Sequence, residues 1–412
     1  MKGEVLDLDY RGRGVVREGG RVVFVAGALP GEVVEYRVTQ AKKRFAEGEM
    51  TDVLQASPDR VAPPCPHYAQ CGGCDLQHLA LAAQRQWKEK WWRGQLARHG
   101  GGEPQMLWPL LAGDGWHYRR RARLAVAGKT LGFRGRATHE VVAVESCMVL
   151  EPRLDALLPA LAGILPQVPV VEGVTLDAGD DSVAVGFISR ERLPDAARVA
   201  LRDVAGQTGA AVWWSKEQVA GAALSYRLPG FGVEIAYTPQ DFTQANAALN
   251  RAMVAQAMDV LQPQAGERIA DFFAGLGNFS LPMARLGAEV LALEGEQEMV
   301  RRAQALADAH GLPVRAVRED LFAVTDKRLK AFGKFDAWLL DPPRAGAQAL
   351  VQAMTAKTAP QRIVYVSCDA ATLVRDAAIL RSKGYRLAGG GVIDMFAQTA
   401  HLESMALFVR ER

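Results

Sequence analysis

Residues 267–280 read ERIADFFAGLGNFS, an apolar strand that ends near an acidic residue and runs into a glycine-rich turn. Further apolar runs follow at 289–293, 314–317, 337–340 and 362–366, and helical stretches separate them. Strands and helices that alternate at this spacing predict βαβ units and a parallel sheet. From about residue 234 onward we therefore expect an α/β domain.

Polar residues follow the predicted strands where each one ends. The endings are Asp271 with the loop 273–278, Glu294, Asp320, Asp341 with the Pro-Pro-Arg that follows it, and Cys368 after a serine. Ligands of open α/β sheets bind beyond the carboxyl ends of the strands, so we expect these endings to form one pocket.

The ligand of this pocket is indicated by its glycines and acids. Gly275 and Gly277 allow the backbone to turn tightly against a ligand, although a simple tight turn would account for them equally well. Glu294 lies about 20 residues further on, where it could accept hydrogen bonds from ribose hydroxyls. Acids at the ends of three successive strands favour S-adenosylmethionine over a nicotinamide dinucleotide.

A cysteine and a carboxylate beside a methyl donor suit methylation of carbon 5 of uracil. Cys368 ends one strand, and Glu403 lies just ahead of the last strand, 405–409. A thiolate that adds to carbon 6 makes carbon 5 nucleophilic, and a base must then remove the carbon-5 proton. Each residue also has an ordinary interpretation, as a buried structural cysteine and a solvated strand-edge acid.

The other cysteines form a group of their own, with Cys65, Cys71 and Cys74 close in sequence and Cys147 further along. Four thiolates can hold a zinc ion or an iron–sulfur cluster. The five residues between Cys65 and Cys71 are unusual for a zinc knuckle, which favours a cluster. Four unrelated buried cysteines are the remaining alternative.

The regions before the α/β domain have different residue patterns. Short strands at 3–7, 14–17, 21–24, 32–39 and 48–54, separated by glycine turns, predict a small closed β-barrel. A proline-rich linker at 57–66 leads into a middle region that ends near residue 233.

The middle region carries basic and aromatic residues that suit a nucleic-acid backbone and its bases. Residues 115–139 contain seven Lys and Arg, among them Arg119, Arg120 and Arg121, and no Asp or Glu. Trp87, Trp91 and Trp92 lie among further basic residues upstream. We expect the three arginines to contact RNA phosphates; the structural alternative is a solvated strand face with core tryptophans.

Composition excludes several classes of protein. The chain has 412 residues, 49% hydrophobic and 23% charged, which excludes disorder and a collagen-like repeat. No window approaches the ~18 uninterrupted apolar residues of a membrane span, and the first nine residues are too acidic for a signal peptide. Five cysteines argue against a disulfide framework. We expect a cytoplasmic protein without a membrane partner, and nothing indicates an obligate protein partner.

Short motifs run through nearly the whole chain. They are YRGRGV at 10–15, ALPGE at 28–32, CGGCDLQH at 71–78, YRRRAR at 118–123, DFTQAN at 241–246, DPPR at 341–344 and VSCD at 366–369, together with Cys65 and the loop 271–280. With these motifs the chain resembles the class I RNA (uracil-5-)-methyltransferases, and within that family the bacterial 23S ribosomal RNA enzymes that carry an N-terminal TRAM domain and a 4Fe–4S cluster.

The resemblance implies a fold and a set of site residues. It implies an OB-like TRAM β-barrel at 1–54, an α+β iron–sulfur-binding middle domain with a basic RNA-binding surface at 55–233, and a Rossmann-like S-adenosylmethionine methyltransferase domain at 234–412. Implied cluster ligands are Cys65, Cys71, Cys74 and Cys147. Cys368 would be the nucleophile and Glu403 the base. The methyl-donor and uracil pocket would be lined by Gln244, Phe273, Asn278, Glu294, Asp320 and Asp341.

The resemblance also implies 23S ribosomal RNA as the substrate, because the family's tRNA-directed bacterial relatives lack both the barrel and the cluster. Two departures occur, Ala397 in place of the usual proline and Ala245 in place of the usual valine. Neither removes a reacting group. Alternatives are the same chemistry on another RNA such as tRNA, methylation of an exocyclic base amine, and a non-catalytic, redox-sensing RNA-binding protein.

Overall fold

The N-terminal strands close into a barrel, as predicted. In the computed structural model, which describes residues 1–411, they are β1 (Lys2–Leu8), β2 (Gly14–Glu18), β3 (Arg21–Ala26), β4 (Val33–Ala41) and β5 (Phe45–Gln55). Their order is β1-β2-β3-β5-β4, with β4 paired back to β1. Side chains alternate between the two faces of a strand, so Val5, Val16 and Val23 meet in the barrel core.

The chain next forms a long helix that lies against the C-terminal half of the molecule. Helix α1 (Leu81–Arg98) contacts that half, and the short strand β6 (Met106–Leu107) follows it. Trp87 and Trp92 on α1 are 8% and 0% exposed, which leaves neither ring free to stack on a base. The structural alternative therefore holds for these two tryptophans.

A seven-stranded sheet occupies the middle of the chain. Its strands are β7 (Arg121–Ala127), β8 (Thr130–Arg134), β9 (Val141–Ala143), β10 (Gly173–Ala178), β11 (Val183–Ile188), β12 (Ala211–Trp214) and β13 (Glu217–Ala220), in the order β13-β12-β11-β10-β7-β8-β9. Helices α2 (Pro152–Asp155), α3 (Leu158–Ile164) and α4 (Asp195–Thr208) share a hydrophobic core with this sheet. A separate hairpin follows, β14 (Leu224–Leu228) and β15 (Val233–Tyr237).

The last sheet contains the five predicted parallel strands, each within one residue of its predicted limits. Its C-terminal strands are β16 (Arg268–Phe272), β17 (Glu289–Glu294), β18 (Val314–Arg318), β19 (Ala337–Leu340), β20 (Arg362–Ser367), β21 (Tyr385–Ile393) and β22 (Glu403–Arg410). The strand order is β18-β17-β16-β19-β20-β22-β21-β6. From the parallel neighbours β16 and β19, successive strands are added toward opposite edges of the sheet. Ligands of such sheets bind at this switch point, beyond the carboxyl ends of the strands.

Helices connect and cover the strands of the last sheet. They are α5 (Ala247–Leu261), α6 (Ser280–Arg285), α7 (Gln297–Ala309), α8 (Asp326–Phe332), α9 (Gln348–Ala353) and α10 (Ala370–Ser382). Three of them begin at a residue whose side chain accepts a backbone N–H three positions on, namely Asn246 for α5, Thr325 for α8 and Asp369 for α10. Such caps fix where a helix starts, and the cap at Asp369 begins α10 directly after Cys368.

The predicted three-part division stays a prediction. Its second boundary, after residue 233, lies within β15, and β6 pairs with β21 of the last sheet although it precedes that boundary. Helix α1 likewise packs against α10 and β21. Across residues 1–411, no helix combines the length and the apolar character needed to cross a membrane.

Candidate active site

A cavity of about 970 Å³ opens at the carboxyl ends of the parallel strands. Seven of the predicted site residues line it: Gln244, Phe273, Glu294, Asp320, Asp341, Cys368 and Glu403. The eighth, Asn278, is not among the lining residues. Its side chain exchanges hydrogen bonds with Asn250 at 2.9 and 3.1 Å and accepts one from Tyr226 at 3.0 Å. Asn278 therefore anchors the glycine loop to α5 and β14.

The glycine loop and Glu294 form one rigid unit. The Glu294 carboxylate accepts hydrogen bonds from the backbone N–H of Gly275 at 3.1 Å and of Glu296 at 3.0 Å. Gly277 has φ +93°, and Phe273 has φ +65° although it carries a side chain. Left-handed conformations of residues other than glycine are strained and collect at functional sites. The loop is thus held in one shape beside an acid that can accept hydrogen bonds from a ligand.

Asp271 lies buried at the end of β16, next to the loop. The Ser280 hydroxyl donates to its Oδ2, while its Oδ1 is buried without a protein partner. Burial raises the pKa of this carboxyl to about 7. Buried polar atoms without partners are rare, so the free oxygen marks a place where a ligand or a water supplies a hydrogen bond.

Cys368 and Glu403 lie at neighbouring ends of two adjacent strands. Strands β20 and β22 are antiparallel, with Ser367 opposite Ser404; Cys368 directly follows Ser367, and Glu403 directly precedes Ser404. Both residues line the cavity.

Burial makes both groups weak acids. The pKa of the Cys368 thiol is raised to about 12 by burial and then by the negative charges of Glu403 and Asp341. The pKa of Glu403, which is 3% exposed, is raised well above its usual range by burial and by Asp341. A carboxyl with a raised pKa is a better proton acceptor once ionised, which suits a general base.

Exposed aromatic rings line the mouth of the cavity. Phe242 is 68% exposed and Phe322 is 55% exposed, and the Phe322 ring centre lies 5.7 Å from that of Phe273. Phe396 and His401 line the cavity as well. None of these four residues is predicted as a site residue from the sequence. For Phe242 a signal existed, because it belongs to the same short motif as Gln244.

Comparison with known proteins gives the family. Residues 224–411 match the family described as tRNA (Uracil-5-)-methyltransferase, and residues 4–51 match the TRAM domain. The chain is 43% identical over 418 residues to the 23S rRNA (uracil(1939)-C(5))-methyltransferase RlmD of Dichelobacter nodosus, covering 98% of both chains. It is 41% identical over 424 residues to the enzyme of the same name from Aromatoleum aromaticum, again covering 98% of both.

The chain belongs to the RNA (uracil-5-)-methyltransferase family. The fold agrees with a solved structure, that of Pyrococcus abyssi tRNA (uracil-54, C5)-methyltransferase in complex with S-adenosyl-L-homocysteine, at a TM-score of 0.79 and 23% identity, covering 99% of this chain and 100% of that one. The predicted family, the N-terminal TRAM barrel and the α/β methyltransferase fold are confirmed.

The structure of this family member brings the four remaining cysteines to one small cavity of about 30 Å³. Cys65, Cys71, Cys74 and Cys147 line it. The pKa of Cys74 is raised to about 12, mainly by burial and in part by the neighbouring thiols. In residues 1–411, no group of three or more His, Cys, Asp or Glu side chains is arranged so as to hold a single metal ion. The thiols are therefore neighbours without the geometry of a closed single-ion site.

All three arginines expected to contact RNA have internal partners. Arg119 donates from Nε to the Arg121 carbonyl at 2.8 Å. Arg120 is 5% exposed, donates from Nε to the Ala178 carbonyl at 2.6 Å and pairs with Asp180 at 3.3 Å. Arg121 donates to the Pro239 carbonyl at 2.8 Å and contacts Asp177 as an ion pair at 3.4 Å. The expectation of a phosphate contact is wrong for Arg120, since its side chain is buried and bonded to internal partners.

Other basic residues of the same stretch stay accessible. Arg119 lines both the large cavity and the cysteine cavity, while Arg123, Lys129 and Arg134 are exposed. Arg134 precedes Gly135, which forms a bridge with Cys71. A basic surface therefore remains beside the cysteines, with fewer residues than the sequence indicates.

Proposed function

We propose that this protein transfers a methyl group from S-adenosylmethionine to carbon 5 of a uridine in 23S ribosomal RNA through a covalent adduct with Cys368. The observation that carries the proposal is that Cys368 and Glu403, next to the last residue pair of β20 and β22, line the same cavity as the strand-end acids. The names of the relatives, which cover the whole chain at about 40% identity, support 23S ribosomal RNA as the substrate.

The donor half of the cavity, lined by Phe273, Glu294, Asp320 and Phe322, offers groups that match the methyl donor. Glu294 accepts hydrogen bonds from ribose hydroxyls, and Phe322 and Phe273 provide apolar surface for the adenine ring. Asp320 lines the same half of the cavity. S-adenosylmethionine supplies a methyl group made electrophilic by its sulfonium. Glu294 and the glycine loop are rigid before the ligand arrives, which lowers the entropy lost on binding.

The uracil half of the cavity, formed by Cys368, Glu403 and the segment before Glu403, performs the covalent steps. Cys368, after releasing its proton to water, forms a bond from Sγ to carbon 6, and the electron pair of the 5,6 double bond moves toward the carbonyl at carbon 4. Carbon 5 then bonds to the methyl group as the methyl–sulfonium bond breaks. Glu403 accepts the carbon-5 proton, the bond between Sγ and carbon 6 breaks, and the double bond is restored.

The uracil reaches Cys368 and Glu403 only if it leaves the stack of neighbouring RNA bases. Enzymes that react with a base extrude it into a pocket and stack it on aromatic side chains. The Phe242 ring, 68% exposed and on the cavity wall, is placed to receive the extruded uracil. Phosphate contacts from the exposed Arg123, Lys129 and Arg134 would hold the flanking RNA without reading its sequence.

We further propose that Cys65, Cys71, Cys74 and Cys147 bind a 4Fe–4S cluster. Four sulfurs around one zinc, each ~2.3 Å from it, stand within about 4 Å of one another. Four cysteine thiolates are also the usual ligands of a cubic cluster, and these four cysteines line one cavity. We place the protein in the cytoplasm, whose reducing conditions keep the four thiols out of disulfides and available to bind the cluster.

The cluster is tested on protein purified without oxygen. We expect a brown chromophore, with iron and acid-labile sulfide in equal amounts. Cys74→Ala should lose the iron, whereas Cys368→Ala should keep it, because Cys368 lies in the other cavity. One zinc per chain and no acid-labile sulfide would contradict the proposal.

The activity is tested with 23S ribosomal RNA from a strain that lacks this protein. With methyl-labelled S-adenosylmethionine, we expect label in 5-methyluridine after digestion to nucleosides, at one position found by mass-spectrometric mapping. Cys368→Ala is the matched control and should incorporate none. Label in an amine-methylated base, or transfer to tRNA but not to 23S RNA, would contradict the proposed reaction or the proposed substrate, respectively.

A further inference from the structure

The segment 394–402 connects β21 to β22 and forms much of the uracil half of the cavity. Phe396, Thr399 and His401 line the cavity, and Glu403 follows directly. Gln398 lies in the centre of this segment, 3% exposed, with φ +66°. A left-handed glutamine persists only where its surroundings fix it. Something outside the segment must therefore hold it.

The side chain of Gln84 on α1 provides the first tie. It is 1% exposed and exchanges two hydrogen bonds with Gln398. Its Oε1 accepts the Gln398 backbone N–H at 3.0 Å, and its Nε2 donates to the Gln398 Oε1 at 3.0 Å. The same Nε2 also donates to the Leu79 carbonyl at 2.8 Å. One amide thus joins the strained residue to the chain that follows the cysteines.

Residues next to the cysteine cavity provide further ties. The backbone N–H groups of Asp75 and Leu76, directly after Cys74, donate to the Gln398 carbonyl at 2.9 and 3.0 Å. The Tyr118 hydroxyl donates to the Ala397 carbonyl at 2.9 Å. Consecutive residues of the segment are therefore held by two separate parts of the middle region.

A buried ion pair fixes the start of the segment. Lys88 is 0% exposed, and its Nζ donates to Asp394 Oδ1 at 2.7 Å and to the Phe396 carbonyl at 2.9 Å. Arg85 donates to Asp394 Oδ2 at 2.9 Å. Buried ion pairs contribute little net stability because of desolvation, and their best-attested use is to specify one arrangement.

We propose that Gln84 and Tyr118 are positioning residues, which hold the segment 394–402 so that Glu403 can remove the carbon-5 proton. The proposal rests on the proposed function, because it assigns Glu403 the base's role. Neither residue lines the cavity, so each acts through the segment and not on the substrate. Without these ties, Gln398 can relax from its strained conformation, and the start of β22, where Glu403 lies, moves with it.

The experiment compares three variants of the full-length protein. Gln84→Met keeps the volume and removes all four hydrogen bonds of the Gln84 amide, two of them to Gln398, and Tyr118→Phe removes one hydroxyl. Gln86→Met makes the same glutamine change on the same helix at an exposed position and serves as the control. Each variant is mixed with unmodified 23S RNA and S-adenosylmethionine for a single turnover. The RNA–protein adduct and the released methylated RNA are measured over time, together with the affinity for S-adenosylhomocysteine.

The expected signature is slow release after normal adduct formation. A misplacement of about 1 Å can slow a step about 100-fold, which we expect for release from Gln84→Met. Loss of one hydrogen bond of about 1 kcal/mol predicts release about fivefold slower for Tyr118→Phe. Adduct linked through Cys368 should accumulate in both variants, while S-adenosylhomocysteine affinity stays unchanged. Gln86→Met should match the wild type.

Other outcomes overturn the proposal. Release at the wild-type rate from Tyr118→Phe would do so even if Gln84→Met failed to fold. An equal loss of adduct formation, release and donor affinity would show general unfolding instead of positioning. Failure of the proposed function shows separately in the wild type, which would then form no adduct with RNA containing 5-fluorouracil.

Discussion

The two halves of the cavity are supported in different ways. In the donor half, Glu294 is bonded to Gly275, 19 residues away, and to its near neighbour Glu296. In the uracil half, the segment 394–402 is bonded to Tyr118, 279 residues away, and to Gln84, 314 residues away. The donor half is held by contacts between residues at most 52 positions apart, the longest from Tyr226 to Asn278, whereas the uracil half is formed where two regions far apart in sequence meet.

This difference separates binding of the donor from the chemistry. Loss of Gln84 or Tyr118 should leave the glycine loop and Glu294 in place, because these are held by other residues, Asn250, Tyr226 and Gly275. The same loss should displace the segment ahead of Glu403. Perturbations of the two halves should therefore differ in one measurement, the ratio of donor affinity to turnover.

The largest effect is expected from Cys368→Ala. Without the thiol no bond to carbon 6 can form, so methylation of RNA should stop, measured as transfer of labelled methyl into 23S RNA. Affinity for S-adenosylhomocysteine, measured by calorimetry, should stay near the wild-type value because the donor half is intact. Methylation at a rate comparable with the wild type would exclude the covalent mechanism.

Glu403→Gln should act one step later. Addition and methyl transfer remain possible, but the carbon-5 proton cannot be removed, so the RNA should stay attached to Cys368. The measurement is a denaturing gel with labelled RNA and peptide mass mapping of the shifted band. Wild-type protein should show the same shift with RNA containing 5-fluorouracil, since fluorine cannot leave as a cation. No shift in either case, while wild type methylates normal RNA, would contradict the assignment.

Much of the donor half could be predicted from the sequence, for a physical reason. Parallel strands place their carboxyl ends at one edge, so apolar runs followed by acids identify a pocket without knowledge of packing. Asp271, Glu294 and Asp320 were named in this way. The presence of Cys368 and Glu403 in one cavity also follows once β20 and β22 are known to be neighbours, because each residue lies at the end of its strand.

The rest depends on contacts that have no local signal. A run of arginines looks basic in sequence, yet Arg120 meets Asp180 only after β7 and β10 pair. Exposure decides whether a phenylalanine such as Phe242 is core or cavity wall, and alternation of residue types does not report it. The tie between Gln84 and Gln398 joins two glutamines in segments without regular repeats, which no spacing rule connects.

Among the basic residues, the structure separates exposed side chains, which are free to contact RNA, from buried ones that hold the fold. Arg134→Gln should lower the salt slope of RNA affinity by about one unit if it contacts one phosphate. Arg120→Gln should leave the salt slope unchanged and lower the free energy of unfolding by about 1–3 kcal/mol, since buried hydrogen bonds are lost. The loss should be no larger, because Asp180 keeps Arg251 as a partner. Filter binding at several salt concentrations and urea unfolding measure the two effects. An equal drop in salt slope for both variants would contradict this separation.

The smallest effect concerns the acidity of Cys368 in the absence of RNA. Burial is the main reason why its pKa is raised to about 12, and the charge of Glu403 adds to it, ahead of that of Asp341. Glu403→Gln removes that charge, so the pKa of the thiol should fall, with most of the elevation left because the burial stays.

The direction of this change in the pKa of Cys368 can be checked by alkylation with iodoacetamide, followed by peptide mass mapping. Only the thiolate reacts, so Glu403→Gln should be alkylated faster than wild type. The ratio of the two rates should grow as the pH rises, because the Glu403 carboxyl, whose pKa is itself raised, becomes ionised in the wild type only as the pH increases. Asp341→Asn should give a smaller increase. A ratio of one at every pH would show that the two groups do not sense each other's charge, and would contradict the close placement of nucleophile and base on which the uracil half depends.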